Sequence, residues 1–367
     1  MGKKLVELKK LPPARVARSK IVAVMNNKGG VGKSSLSIAY GLHMFRTGHN
    51  VLFIDCDSQR NMTQRLGLSD DMNAIGKTKI ERVGRLFREA DIEGPKPDMT
   101  ITVEYPNTMK VQGTARKGII GIIAGDKNAV IEAESADRRL KNNTYLTLDR
   151  RDIFKYFRDE INKYRQFYDA IILDTAPALE GNLLNRLAVK TADEIICPID
   201  GIEAALGLQQ FIGWVDGETS LGSGVEHRPN ITIAMVKYQK PTERSEKKLM
   251  EELGVSVSNE VYRAIASTFG PTYICEHGVQ ELSTLRKTVP GLAGKNQYTI
   301  LSAELAEKLA IPRPSIFEYF TPVRAEDLKN KLSAVQKKTL VKTPRFKGAI
   351  YKDDVENQSE GDAVALG

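Results

Sequence analysis

The sequence predicts an α/β protein, a doubly wound and mainly parallel sheet flanked by helices. Three observations point there. The runs within "KIVAVMN", "NVLFIDCD", "YDAIILDTAPAL", "ADEIICPI" and "NITIAMVKY" are apolar almost continuously, which suits strands buried on both faces. Helical stretches lie between them, and crossovers of that length bring strands side by side in parallel. A glycine-rich segment, "MNNKGGVGKSS", falls between the first strand and the first helix, at the strand end where such sheets carry a binding loop.

Residues 1–19 form a basic arm, with Lys3, Lys4, Lys9, Lys10, Arg15 and Arg18 against the single acid Glu7. After the first strand, "SSLSIAYGLHMFRTG" places Leu36, Ala39, Tyr40 and Met44 on one helical face, and Gly48 ends the helix. The strand "VLFID" completes a βαβ unit. Beyond it the pattern weakens to a short helix at "VGRLFREA", a Pro/Gly break from Gly94 to Pro97, and a strand within "KGIIGIIAG". One helix is expected over about 149–165, because Ile153, Phe157, Ile161 and Tyr164 share a stripe. The globular unit spans 20–336. Residues 337–367 read as a disordered tail, basic and then acidic, whose last fifteen residues hold five acids and no base.

The chain has 367 residues and a net charge of +8, which favours polyanionic partners without choosing among them. Three cysteines, Cys56, Cys197 and Cys275, lie far apart with no CxxC, so a disulfide framework is not expected and a reducing cytoplasm is. Cys275 and His277 lack a second ligand pair, so no zinc site is expected there. No apolar run reaches the roughly 18 residues of a membrane span.

The chemistry concentrates in the glycine-rich loop. Gly29, Gly30, Val31 and Gly32 can turn the backbone so that several N–H groups face one phosphate chain, and the helix that opens with Lys33, Ser34 and Ser35 adds partial positive charge. Lys33 would reach the β- and γ-phosphates, and the Ser34 hydroxyl would hold Mg²⁺, a hard cation that prefers oxygen. The GxxxxGK[ST] pattern is not met, since Asn27 stands at the first glycine position. Asp174, ending "AIILD", is placed to hold the magnesium's water shell. Either Asp57 or Asp55, at the end of "VLFID", could orient the attacking water.

The segments "KGGVGKSS", "VLFIDCDSQRNMT", "YDAIILDTAPAL" and "ADEIICPIDGIEAALGL" resemble, in order, the deviant Walker A, A′, Walker B and following segments of the ParA/MinD ATPases, closest to ParA-type DNA-partition proteins. The resemblance covers about residues 20–336. It implies a P-loop fold and slow, partner-stimulated, Mg²⁺-dependent ATP hydrolysis by a homodimer that sandwiches two nucleotides. It also implies that the extra lysine, Lys28, reaches the partner's phosphates, and it favours Asp57 over Asp55 as the water-orienting acid. In the A′ segment Gln59, Asn61 and Thr63 match the family, while Ser58 and Arg60 depart from its usual Pro and Gly. One lysine neutralising charge at home and one offered to a neighbour would make association depend on triphosphate.

Nonspecific double-stranded DNA is the expected platform, with a ParB-like centromere-binding adaptor as partner, plasmid or chromosome segregation as outcome, and no membrane. Candidate DNA contacts are Lys237, Lys240, Arg244, Lys247 and Lys248 in "KYQKPTERSEKK", together with the two basic tails. Residues 301–320 admit two readings, a helix-turn-helix or the closing part of the ATPase domain. The alternatives are a ParA/MinD-like ATPase that positions a protein cargo on nucleoid or membrane, and a metabolic P-loop enzyme. The chain's end, "DDVENQSEGDAVALG", is not the basic amphipathic helix that membrane attachment needs, so a cytoplasmic, nucleoid-associated protein is expected.

Overall fold

A computed structural model describes residues 19–68, 74–75, 78–90, 100–103, 118–200, 207–220, 228–236, 273–275, 277–279, 297–309 and 341–342. In chain order the strands are β1 Lys20–Val24, β2 Val51–Asp55, β3 Ala74–Ile75, β4 Thr78–Lys79, β5 Ile101–Val103, β6 Ile120–Ile123, β7 Ala170–Asp174, β8 Glu194–Ile199, β9 Asn230–Met235, β10 Tyr273–Ile274, β11 His277–Gly278 and β12 Val341–Lys342. The helices are α1 Lys33–Arg46, α2 Asn61–Arg65, α3 Gly84–Arg88, α4 Ala129–Asn142, α5 Ile153–Asn162, α6 Leu183–Thr191, α7 Leu208–Thr219 and α8 Gln297–Lys308. One sheet runs β10-β9-β8-β1-β7-β2-β6-β5. All its pairings are parallel except β5 on β6 at the edge, so the mainly parallel, doubly wound sheet is observed. β3 with β4 and β11 with β12 form small antiparallel pairs.

Side-chain alternation divides the core into two layers. Ile21, Ala23, Leu52, Ile54, Ile171 and Leu173 point to the face covered by α3 to α7. Val22, Val24, Val51, Phe53 and Ile172 point to the face covered by α1, α2 and α8. Both faces are therefore dry, which is why the strands read as unbroken apolar runs. α1 is enclosed on nearly every side because α8 packs over it, bringing Leu301 and Leu305 into the same cluster as Leu36 and Tyr40.

The helix–sheet contact is close at Gly41. A Cβ there would lie 2.2 Å from Phe53 Cζ and 2.8 Å from Ile172 Cδ1. Alanine would gain about 1 kcal/mol of helix propensity, but overpacking a closed core costs about 1–3 kcal/mol. Phe53 is fully buried and has nowhere to go. Gly41→Ala is therefore expected to lower the thermal midpoint of the protein, read by calorimetry.

One expectation changes. The single helix over 149–165 is three pieces, a 3₁₀ turn at Leu148–Arg151, α5, and a second 3₁₀ turn at Lys163–Gln166. Asp152 is extended and caps α5, its side chain accepting from Phe154 N at 2.8 Å, so a local hydrogen bond restarts the helix. The apolar stripe itself is as expected: Ile153, Phe157, Ile161 and Tyr164 are all buried. α8 begins well before Ala303 and lies in the core against α1, whereas a helix-turn-helix reads DNA through its second helix. Residues 310–320 lie outside the described residues. So do 1–18, 343–367 and the DNA candidates Lys237, Lys240, Arg244, Lys247 and Lys248.

The three cysteines are free and buried. No helix among the described residues is long and apolar enough to cross a membrane.

Candidate nucleotide-binding site

The chain leaves β1 through α1 to β2 on one side, and leaves β7 through α6 to β8 on the other, so the carboxyl end of β1 faces a switch point in strand order. Register fixes what meets there. Val24 and Asp55 both align with Asp174, so the loop after β1 and two carboxylates share one edge of the sheet.

Asn26 starts the loop. Its amide donates to Pro198 O at 2.7 Å, and its Oδ1 accepts from Lys28 N at 2.8 Å, tying the loop to the end of β8. Gly30 and Gly32 have φ of 79° and 95°, a left-handed conformation that costs glycine nothing. Gly32 is the N-cap of α1 and supplies no side chain, so the first-turn N–H groups of α1 remain directed at the loop's interior. A Cβ on Gly30 would meet nothing within 4 Å. Pro177, from the loop after β7, lies against Gly29.

The two lysines differ in setting. Lys33 is enclosed, 7% exposed, with its ammonium donating to Lys28 O at 3.0 Å. The Lys28 side chain is 36% exposed and its ammonium stands 3.3 Å from Asp200 Oδ1, just past β8.

Asp174 is fully buried and hydrogen-bonded by the hydroxyls of Ser34 and Ser37, the latter at 2.8 Å. Its Oδ2 has no hydrogen-bond partner. Burial pushes its carboxyl above the ordinary range, the serine hydrogen bonds oppose this, and the Asp57 charge adds to it. Asp55 is pushed up as well, by burial first and by Asp174 second. The buried Asp174 carboxylate, with one unused oxygen and Ser34 beside it, suits a hard cation and its water shell.

The acids of the A′ segment separate here. Asp55 is fully buried, and both its oxygens are committed: Oδ1 accepts from Asp57 N at 3.1 Å, and Oδ2 accepts from Thr63 N at 2.8 Å and Thr63 Oγ1 at 2.6 Å. Asp57 accepts from Gln59 N at 2.9 Å through Oδ1, in a turn that ends at Arg60, a left-handed non-glycine with φ 57°. The Ser35 hydroxyl accepts from the Arg65 guanidinium of α2. Sequence reasoning missed Asn26, Ser37 and Asp200, and noted Thr63 as matching the A′ segment without giving it a role. Asp200 carried a usable signal, since it follows a buried strand as Asp174 does; the others depend on contacts that spacing does not reveal.

This fold with this loop defines a P-loop nucleotide-binding protein. A family model described as an AAA domain, AAA_31, matches residues 19–219, more than half of the chain, and the chain belongs to that family. Its curated relatives include the sporulation initiation inhibitor protein Soj of Bacillus subtilis, 28% identical over 199 residues that are 53% of this chain and 64% of Soj. The chromosome partitioning protein ParA of Caulobacter vibrioides is 26% identical over 200 residues, 54% of this chain and 62% of ParA. The chain thus spans less than two thirds of either relative. Solved structures with the same fold include the ATP complex of Cyanothece McdA (TM-score 0.55, 14% identity, 81% of this chain and 99% of that one). Another is pNOB8 ParA bound to nonspecific DNA (TM-score 0.52, 17% identity, 80% and 99%). A third is cobyrinic acid a,c-diamide synthase from Mycobacterium smegmatis with an ATP analogue and magnesium (TM-score 0.51, 16% identity, 80% and 98%). The resemblance to the ParA/MinD group is borne out.

Proposed function

We propose that the protein is an ATP-dependent dimerisation switch that binds DNA nonspecifically in its ATP-bound, dimeric form and serves partition of a replicon through a ParB-like adaptor. The observation that carries this reading is the unequal placement of the two loop lysines. Lys33 is enclosed beside the loop backbone and serves its own subunit's phosphates. Lys28 stands at the mouth, its side chain 36% exposed and its ammonium 3.3 Å from Asp200, where a second subunit's nucleotide can meet it.

ATP fits the loop on this chain's own evidence: left-handed Gly30 and Gly32, an open space at Gly30, and the uncapped first turn of α1. Magnesium fits beside Ser34 and Asp174, whose Oδ2 is buried and unpartnered. When bound, the cation neutralises charge on the phosphates and orders their oxygens. Backbone N–H groups from Gly29 to Lys33, with Ser34 and Ser35, hold the phosphate chain. Asp57 orients the attacking water. The relative named a chromosome partitioning protein, and the ParA structure bound to nonspecific DNA, support the same platform for this chain.

DNA retention by the purified protein with ATP, with ADP and without nucleotide, at one salt concentration, tests the switch. Retention is expected with ATP alone. With six or more phosphate contacts it should fall by about 10³-fold or more between about 50 and 200 mM salt. Retention that ignores nucleotide, or a flat salt response, would refute the reading.

A further inference from the structure

Thr63 sits where three elements meet. Its hydroxyl donates to Asp55 Oδ2 at 2.6 Å and accepts from Gly125 N at 2.8 Å, and its own N–H donates to the same Asp55 oxygen at 2.8 Å. Asp55 ends β2, Gly125 follows β6, and Thr63 belongs to α2, so one buried hydroxyl joins two strand ends to a helix. Gly125 is held close: a Cβ on it would lie 2.8 Å from Arg60 Cγ and 3.0 Å from Asp55 Cγ. Between Asp55 and Thr63 the chain makes the turn that carries Asp57. That turn is bonded internally by Asp57 N to Asp55 Oδ1, Gln59 N to Asp57 Oδ1, and Arg60 N to Asp57 O at 2.9 Å. It is an arch whose two feet are fastened to each other through the Asp55 carboxylate, and to the sheet through Gly125.

We propose that Thr63 is a positioning residue for ATP hydrolysis, acting through Asp55 to hold the Asp57 carboxylate where the attacking water must be oriented. This rests on the reading of Asp57 as the water-orienting acid. A misplacement of about 1 Å can cost about 100-fold in rate, and the Thr63 hydroxyl bonds Asp55 and Gly125 rather than the phosphate loop, so binding and turnover should separate.

The test compares Thr63→Val, which keeps the branched shape and removes the hydroxyl, with Thr63→Ser, which keeps the hydroxyl. ATP turnover, KM for ATP and ATP-dependent dimers are measured on the full chain. Thr63→Val is expected to lose about 10- to 100-fold in kcat with KM within about 2-fold and dimers retained; Thr63→Ser should stay within about 3-fold of the parent in kcat. Asp55→Asn is the second variant. It conserves volume but turns an amide NH2 towards donors that the carboxylate accepted, so its fold is checked by circular dichroism first, and the same loss confined to kcat is expected. Parent-like kcat in folded Thr63→Val or Asp55→Asn would overturn the positioning role, as would loss in Thr63→Ser equal to that in Thr63→Val. Asp57→Ala, run beside them, separates the two ideas. If it stops turnover while Thr63→Val does not, the positioning role alone fails; if it turns over normally, the reading of Asp57 fails and takes the route through it along.

Discussion

Lys28→Ala is expected to bind ATP and yet remain monomeric with it in sedimentation. Removing one partner of a desolvated charge pair at an interface costs about 2–5 kcal/mol, and a symmetric dimer loses two such contacts. Dimer affinity should therefore fall by about 10³-fold or more, while ATP affinity changes little, because Lys33 and the loop N–H groups are untouched. One rival claim on Lys28 comes from Asp200 of its own chain, 3.3 Å away with side-chain exposures of 36% and 20%. Pairs this exposed contribute about 0–1 kcal/mol, too little to hold the ammonium against a triphosphate. Asp200→Ala should accordingly leave ATP-dependent dimers intact. Lys33→Ala, by contrast, should lose nucleotide binding and dimers together. Unchanged dimers in Lys28→Ala would remove the trans role from this lysine.

The parts of the site that could be read from sequence are those that local chain geometry dictates. Gly30 and Gly32 announce a left-handed loop, and the unbroken run "AIILD" announces a buried strand that delivers Asp174 to its edge. The choice between Asp55 and Asp57 could not be read from spacing, because both follow the same strand. What separates them is a set of bonds to Thr63 and, through it, to Gly125, 62 residues further along the chain. Lys28 finds Asp200 across 172 residues, a contact that only strand order creates. The helix over 149–165 misled for the opposite reason. Its stripe was real, and a single capping acid, Asp152, interrupted the backbone without disturbing the stripe. That the apolar residues of α8 cover α1 is a tertiary contact that local sequence pattern does not reveal.

Asp57→Ala is expected to trap the ATP-bound dimer and slow phosphate release by about 10²–10⁴-fold, the usual contribution of a positioned general base. Geometry favours Asp57 over its neighbour for this work. Asp55 has both oxygens occupied by N–H and O–H donors and is sealed from solvent, so it can fasten the turn but has no oxygen to offer. Asp57 commits Oδ1 to the Gln59 N–H, and its Oδ2 carries no hydrogen bond among the described residues. The substitution should not endanger the fold, because the charge on Asp57 raises the carboxyl of buried Asp174 and its removal relieves that repulsion. Binding should survive, since neither the loop N–H groups nor Lys33 depends on Asp57. With hydrolysis slowed and the triphosphate kept in place, retention on DNA should persist long after ATP is withdrawn, whereas the parent protein releases. Ordinary turnover and ordinary release in Asp57→Ala would move the water-orienting role to Asp55 and require its hydrogen bonds to rearrange when nucleotide binds.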